Sequence, residues 1–196
     1  MYEIELKAIV KNRAEVIKRI NKFATYTGAI EKEDNYYSSI HNGKEISVRI
    51  RKETPFVSTE VDSKINISCQ KTVLFTYKRK KLSEAEGTHL EVNDEKECLL
   101  SDSKPFEEFL QDSGFTLTLS KKKKVLSWQY DGALFELCTV PPLGDFLEIE
   151  IMSKTNKDDQ ISVIKEKLIS LLKKCNISED MIEKRYYSEL LKQKRG

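Results

Sequence analysis

Six stretches of this chain place charged residues on one side of a strand and apolar residues on the other. In EIELKAIV, Glu3, Glu5 and Lys7 alternate with Ile4, Leu6 and Ala8, and successive strand side chains point to opposite faces, so the chain opens with one wholly charged face. EISVRIRK repeats the division with Arg49 and Arg51 against Val48 and Ile50, and LFTYKRK with Thr76, Lys78 and Lys80 against Phe75 and Tyr77. In NDEKEC, Glu95 and Glu97 share a face; in ALFELC, Glu136 and Cys138 oppose Phe135 and Leu137; in DFLEIEI, Glu148 and Glu150 oppose Leu147, Ile149 and Ile151. Taken singly, each fits an antiparallel strand with one face in water.

The segments between these strands supply a reason to turn the charged faces inward. Asn12 with Glu15 three residues on resembles a capping box, and Val16, Ile17, Ile20, Phe23 and Ala24 follow at helical spacing up to Gly28. Ser103 and Pro105 open a helix carrying Phe106, Phe109 and Leu110 that ends near Gly114; Asp158 or Asp159 opens another with Ile161, Ile164, Leu168, Leu171 and Leu172; Ser178 caps a last one with Met181, Ile182, Leu190 and Leu191. Asn42-Gly43 and Asp131-Gly132 are hairpin turns. Amphipathic helices need a sheet to cover, and apolar strand faces are their natural partners. The expectation is an α+β chain: a closed or nearly closed antiparallel β-barrel of eight or so strands with helices packed outside, which leaves the charged faces lining a wet interior.

No Gly-rich linker divides residues 1–196, so a single domain is expected, with a loose echo between a first and a second half of strand, helix and hairpin. Residues 52–66 break the periodicity around Pro55 and are expected to form a long loop or extra hairpin, a lid over one mouth of the barrel. The final QKRG is expected to fray.

Charge is dense and nearly balanced, 34 Lys plus Arg against 32 Asp plus Glu, which argues against nucleic acid as a partner. No apolar run approaches a membrane span and no signal-peptide pattern opens the chain, so the expectation is a cytoplasmic protein with no membrane partner. Cys69, Cys98, Cys138 and Cys175 lie too far apart to suggest a zinc site or disulfide framework, and His41 and His89 sit in polar turns. A lining of mixed charge cannot persist unpaired in a buried interior. Carboxylates can hold divalent cations while Arg and Lys hold phosphoryl oxygens, so a polyphosphate with bound Mg2+ or Mn2+ is the ligand class that uses both.

The same residues carry a family resemblance. EIELK resembles the Glu-x-Glu-x-Lys signature of the CYTH superfamily, the triphosphate tunnel metalloenzymes; DNYY, SVRIRK, FTYKRKK, LGDFLEIE and the closing YSELL resemble further family segments in family order, from Glu3 to Leu191. The resemblance implies an eight-stranded antiparallel tunnel made of two related halves. It implies Glu3 and Glu5 as metal ligands, with Glu148 and Glu150 on the opposite wall. Lys7, Arg49, Arg51 and Lys78 would grip the triphosphate, with Glu5, Lys7 and Lys78 as the catalytic set, and Glu95 and Glu97 would line the tunnel. Two departures stand out. Where the family often has Asp, this chain has Cys138, for which Glu136 is a substitute on the same face; and the family's Lys-x-Arg strand corresponds only loosely to KKKKVLSW, where Lys122 and Lys124 are the best candidates with the register open by one residue.

The implied activity is a metal-dependent triphosphatase acting on ATP, thiamine triphosphate or inorganic triphosphate. A class IV-type adenylyl cyclase that makes cyclic AMP and diphosphate from ATP is the alternative, and a triphosphate-binding module without turnover a third. A homodimer stays open.

Overall fold

In the computed structural model the described residues are 2–61, 70–80, 91–155 and 157–195, except for the side chains of 78–80, 91–95 and 195. Eight strands run β1 (Tyr2–Val10), β2 (Thr25–His41), β3 (Lys44–Pro55), β4 (Thr72–Lys80), β5 (Glu91–Leu100), β6 (Thr116–Tyr130), β7 (Ala133–Val140) and β8 (Gly144–Ser153). They pair antiparallel in the ring order β1-β5-β4-β3-β2-β6-β7-β8, and the ring closes where β8 pairs with β1. The echo between halves shows in part of that order: β1 pairs with β5 and β2 with β6, whereas β3 and β4 lie away from β7 and β8.

Both two-residue turns form as expected, with Asn42 and Gly43 at φ 51° and 74° and Asp131 and Gly132 at 50° and 73°. Positive φ at both central positions matches the right-handed twist of the flanking strands. Each hairpin is longer than the alternation suggested. β2 begins at Thr25, ten residues before the Asn35 that opens NYYSSI, and β3 runs on through Lys52–Pro55, so that part of the expected lid is strand. Residues 56–61 then dock on the barrel's outer side, with Val61 buried and Glu60 paired to Arg13 at 2.7 Å. The remainder of the expected lid, 62–66, lies outside the described residues.

Helix α1 (Arg13–Ile20) opens on the expected cap, the Glu15 amide donating to Asn12 Oδ1 at 3.1 Å. It stops at Ile20 rather than running on toward Gly28, because β2 claims the chain from Thr25; Phe23 still packs on Phe135 and Tyr130. With α3 (Asp158–Lys174), it covers the outer faces of β1, β6, β7 and β8, where Ile4, Leu6, Leu126, Trp128, Phe135, Leu137, Leu147 and Ile149 are buried against Val16, Ile17, Ile20, Leu168 and Leu172. The Trp128 indole donates to Asn21 Oδ1 at 2.7 Å, so its one polar atom is satisfied as well. A second patch puts α2 (Lys104–Asp112) over β2, β3 and β4, with Phe106 and Leu110 against Tyr37, Ile50 and Phe75. Each fully buried large side chain stabilises the shell by about 1.5–3 kcal/mol. Helices on the apolar outside leave the charged strand faces directed into the barrel.

The last helix departs from expectation. Ser178 precedes only a short 3-10 turn (Glu179–Met181); Ile182 then bridges to Ala8, the Glu183 amide donates to the Lys7 carbonyl at 2.9 Å, and α4 starts at Tyr187 and runs to Arg195. Pairing with β1 at Lys7 and Ala8 wins over helix continuation. That break sends α4 to the β7–β8 end of the barrel, where Lys194 donates to the Pro142 carbonyl.

Candidate functional site: the charged barrel interior

Strand parity brings together inside the barrel Glu3, Glu5 and Lys7 (β1), Lys32, Asp34 and Tyr36 (β2), Arg49, Arg51 and Glu53 (β3), Thr76 (β4), Glu97 (β5), Lys121 and Lys123 (β6), Glu136 and Cys138 (β7), and Glu148 and Glu150 (β8). The expected inward set is therefore largely assembled. Lys78 and Glu95 are register partners across β4 and β5, and their side chains lie outside the described residues.

Two expectations need correction. Glu148 and Glu150 are not across the tunnel from Glu5: β8 is the neighbour of β1, with Glu5 opposite Glu150 and Lys7 opposite Glu148, because the barrel closes between its first and last strands. In β6 the inward pair is Lys121 and Lys123, not Lys122 and Lys124. The Lys122 side chain is 68% exposed and bonded to Glu33 at 2.6 Å on the outer surface, whereas that of Lys121 is 4% exposed. The signal was available in the sequence: Leu126 and Trp128 must face the apolar shell, and counting back in twos from them puts Lys122 and Lys124 outward.

Inside, acids and bases are interleaved. Asp34 is the hub on one side: Arg51 grips it with two bonds, at 2.6 and 3.1 Å, and Lys121 Nζ lies 3.1 Å away. Burial pushes the Asp34 carboxyl up, but Lys121 and Arg51 outweigh it and hold the group well below the usual carboxylate range. Arg49 donates to Thr76 Oγ1 at 3.0 Å and to Glu97 at 3.2 Å, and Thr76 itself donates to Glu97 at 2.8 Å, which aims the guanidinium. On the other side Lys32 bonds Glu136 at 2.6 Å and Lys123 bonds Glu148 at 2.6 Å. Burial raises both carboxyls and the ammonium groups more than reverse it: Lys32 then Lys123 for Glu136, Lys123 for Glu148.

Sequence reasoning assigned no role to Lys32, Asp34 or Tyr36, although DNYY was noted. The run Ile30-Glu31-Lys32-Glu33-Asp34 carries charge on both faces of β2, so no alternation marks which face is inside.

The two ends of β7 differ. At the β7–β8 end, Tyr187 of α4 enters the barrel, packed edge-on to Phe146 at 5.1 Å and next to Val125, Cys138 and Val140. Its ring takes Lys121 and Lys7 ammonium groups at 4.7 and 4.8 Å. Burial and then the Glu148 charge push its hydroxyl well up, so it is a neutral phenol. At the β6–β7 hairpin end, a cavity of about 600 Å3 is lined by Thr25, Thr27, Gln129, Leu134, Glu150 and Met152, among others. One mouth is plugged by a helix, and the cavity lies at the other.

These geometries carry two predictions. Replacing Lys121 with alanine is expected to weaken inorganic triphosphate binding about 10- to 100-fold, the size of one charge-assisted hydrogen bond, while Lys122→Ala leaves calorimetric affinity unchanged. Equal effects would show that β6 parity has been misread. The three depressed carboxyls also fix an acid limb. A group whose folded pKa lies below its unfolded value stabilises fully above the unfolded value and loses that contribution as pH falls through the folded one. Thermal unfolding followed from about pH 6 to about pH 2 is thus expected to show a melting temperature that drops below about pH 4, with a shallower drop in Asp34→Asn.

Glu5 and Glu150 are directly opposed on adjacent strands, with Glu3 on the same face of β1, and carboxylate oxygens are the hard donors that suit Mg2+ or Mn2+. Among the described residues, the group whose three ligand atoms lie within 4.8 Å of one another is Glu136, Cys138 and Glu148.

A family description, the CYTH domain, matches residues 1–187. No curated protein matches the chain. Among solved structures, PH1819 protein from Pyrococcus horikoshii OT3 is 26% identical, with 98% of this chain and 99% of that chain covered at a TM-score of 0.78. A candidate adenylate cyclase from Vibrio parahaemolyticus is 18% identical over 98% of each chain, TM-score 0.69. The Hippeastrum protein HpAC1, described as a candidate adenylyl cyclase with a dominant triphosphatase activity, is 13% identical over 100% of this chain and 95% of its own, TM-score 0.57. The last two show a shared fold. Among the described residues no helix is long and apolar enough to cross a membrane.

Proposed function

Because this chain belongs to the CYTH domain family, a family of triphosphate-binding proteins, we propose that it is a divalent-metal-dependent triphosphatase, which takes a triphosphate into the barrel and hydrolyses a phosphoanhydride bond. One observation carries the reading: Arg49 and Arg51 on β3, Lys121 on β6 and Lys7 on β1 converge from three strands on one enclosed interior. Four cations directed into one interior are placed to share the three phosphoryl groups of one chain.

Glu3, Glu5 and Glu150 would hold Mg2+ or Mn2+, which when bound polarises a phosphoryl oxygen and neutralises charge. The protein's own groups do the rest. Arg49, steadied by Thr76 and Glu97, and Arg51, steadied by Asp34, present guanidinium groups already oriented, so little order has to be created on binding. Lys7 and Lys121 complete the grip. A water held by Glu5 attacks the terminal phosphorus in line; the carboxylate takes its proton as the bond to the bridging oxygen breaks, and the cationic set holds the charge gathering on the leaving diphosphate. Tyr187 closes the far mouth and keeps bulk water from that end.

The cavity at the β6–β7 hairpin end favours a second reading. Space of about 600 Å3 beside Glu150, with the Gln129 amide and the apolar Leu134 and Met152 on its walls, has room for the organic part of a nucleoside triphosphate, as an adenylyl cyclase needs. Incubation with ATP, thiamine triphosphate and inorganic triphosphate in Mg2+ or Mn2+ decides between them. Orthophosphate release supports the triphosphatase and cyclic AMP the cyclase. Tight binding without either product would make the chain a triphosphate-binding module.

A further inference from the structure

Lys123 is held in the manner of a bound ion. Its Nζ lies 2.6 Å from Glu148 Oε2, 3.4 Å from Glu136 Oε2 and 3.5 Å from Cys138 Sγ, the same three residues whose ligand atoms cluster within 4.8 Å. The lysine comes from β6 and the three acceptors from β7 and β8, so the ammonium is clasped across strands. The other oxygen of Glu136 is taken by Lys32 at 2.6 Å. Charge closes here: the ammonium groups of Lys32 and Lys123 face the carboxylates of Glu136 and Glu148, Glu53 at 4.0 Å from Lys32 is matched by Arg51 at 3.9 Å, and Cys138, its thiol raised first by burial and then by Glu148, adds none. A displaced Lys123 would move toward Lys7 and Lys121, the other cations around the Tyr187 ring. Like charges therefore oppose its departure, and leaving Glu148 buried without it is expensive.

We propose that Lys123 is a tethered cation that closes the Glu136, Cys138 and Glu148 pocket to divalent metal, and that the uncharged side chain at Cys138 is what lets one lysine do so. Glu148 is then a partner of Lys123 and not a metal ligand, and divalent ions are left to Glu3, Glu5 and Glu150. A carboxylate at position 138 would set three acids against two ammonium groups, an imbalance that a divalent cation relieves.

The inference rests on the metal reading above only for where ions bind in the parent protein, and counting bound ions separates the two. Mn2+ is titrated into the purified chain without triphosphate, and free Mn2+ is read by electron paramagnetic resonance, with circular dichroism confirming the fold of each variant. Cys138→Asp and, independently, Lys123→Gln are each expected to bind one more Mn2+ than the parent, while Cys138→Ser and Glu148→Gln match the parent. Unchanged counts in the folded Cys138→Asp and Lys123→Gln variants, or a lost ion in Glu148→Gln, would overturn the proposal. A parent that binds no Mn2+ would count against the Glu3, Glu5 and Glu150 site instead, and the gain in the variants would still decide the pocket.

Discussion

Replacing Asp34 with alanine is expected to destabilise the fold by about 3–5 kcal/mol, the cost of removing one partner from a buried ion network. Asp34 is 1% exposed and holds both Arg51 and Lys121. Without it the two cations, on β3 and β6, face each other across β2, and Glu53, 3.9 Å from Arg51, is a longer and weaker partner. Urea unfolding measures the loss. The variant should also recover more than the parent on adding inorganic triphosphate, because the anion supplies the missing negative charge: a ligand at 100 times its Kd stabilises by about 2.7 kcal/mol, and a tighter Kd raises that figure. A variant that unfolds like the parent would mean that Arg51 and Lys121 find other partners, and the interior would be less tightly built than the distances indicate.

The second large effect falls on turnover. Glu5→Gln keeps the size of the side chain and removes its charge and basicity, so kcat is expected to fall about 10²- to 10⁴-fold, the usual contribution of a positioned general base. Melting temperature should change little, since the position is only half-buried. Glu33→Gln is the matched control: Glu33 sits on the outer face with Lys122, and its removal should leave kcat within error. Comparable losses in both variants would detach catalysis from the barrel interior.

The charged strand faces were legible because alternation with β-branched and aromatic residues is a local signal, and the amphipathic helices then dictated which face is in. Glu3, Glu5, Lys7, Arg49, Arg51, Glu148 and Glu150 were found on that basis. What local pattern could not show was adjacency. Glu150 lies beside Glu5 because the barrel closes between β1 and β8, a contact between its first and last strands that no window of sequence contains. Lysine runs defeat parity as well, since Lys121–Lys124 carry the same charge on both faces until Leu126 and Trp128 fix the phase. Tyr187 opens the YSELL segment, but its place in the barrel was hidden for a different reason. It belongs to a helix whose apolar residues look like ordinary shell packing, and only the break at Ile182 swings that helix over the barrel mouth.

The central claim is that the inward charged face is a triphosphate site. Calorimetric titration of inorganic triphosphate into the parent protein and into an Arg49→Ala, Arg51→Ala double variant tests it most directly. The account predicts saturable binding to the parent and a loss of about 10²-fold or more in the double variant, two charge-assisted contacts at about 1.5–3 kcal/mol each. Equal affinity in the two proteins, or none in the parent, would contradict it.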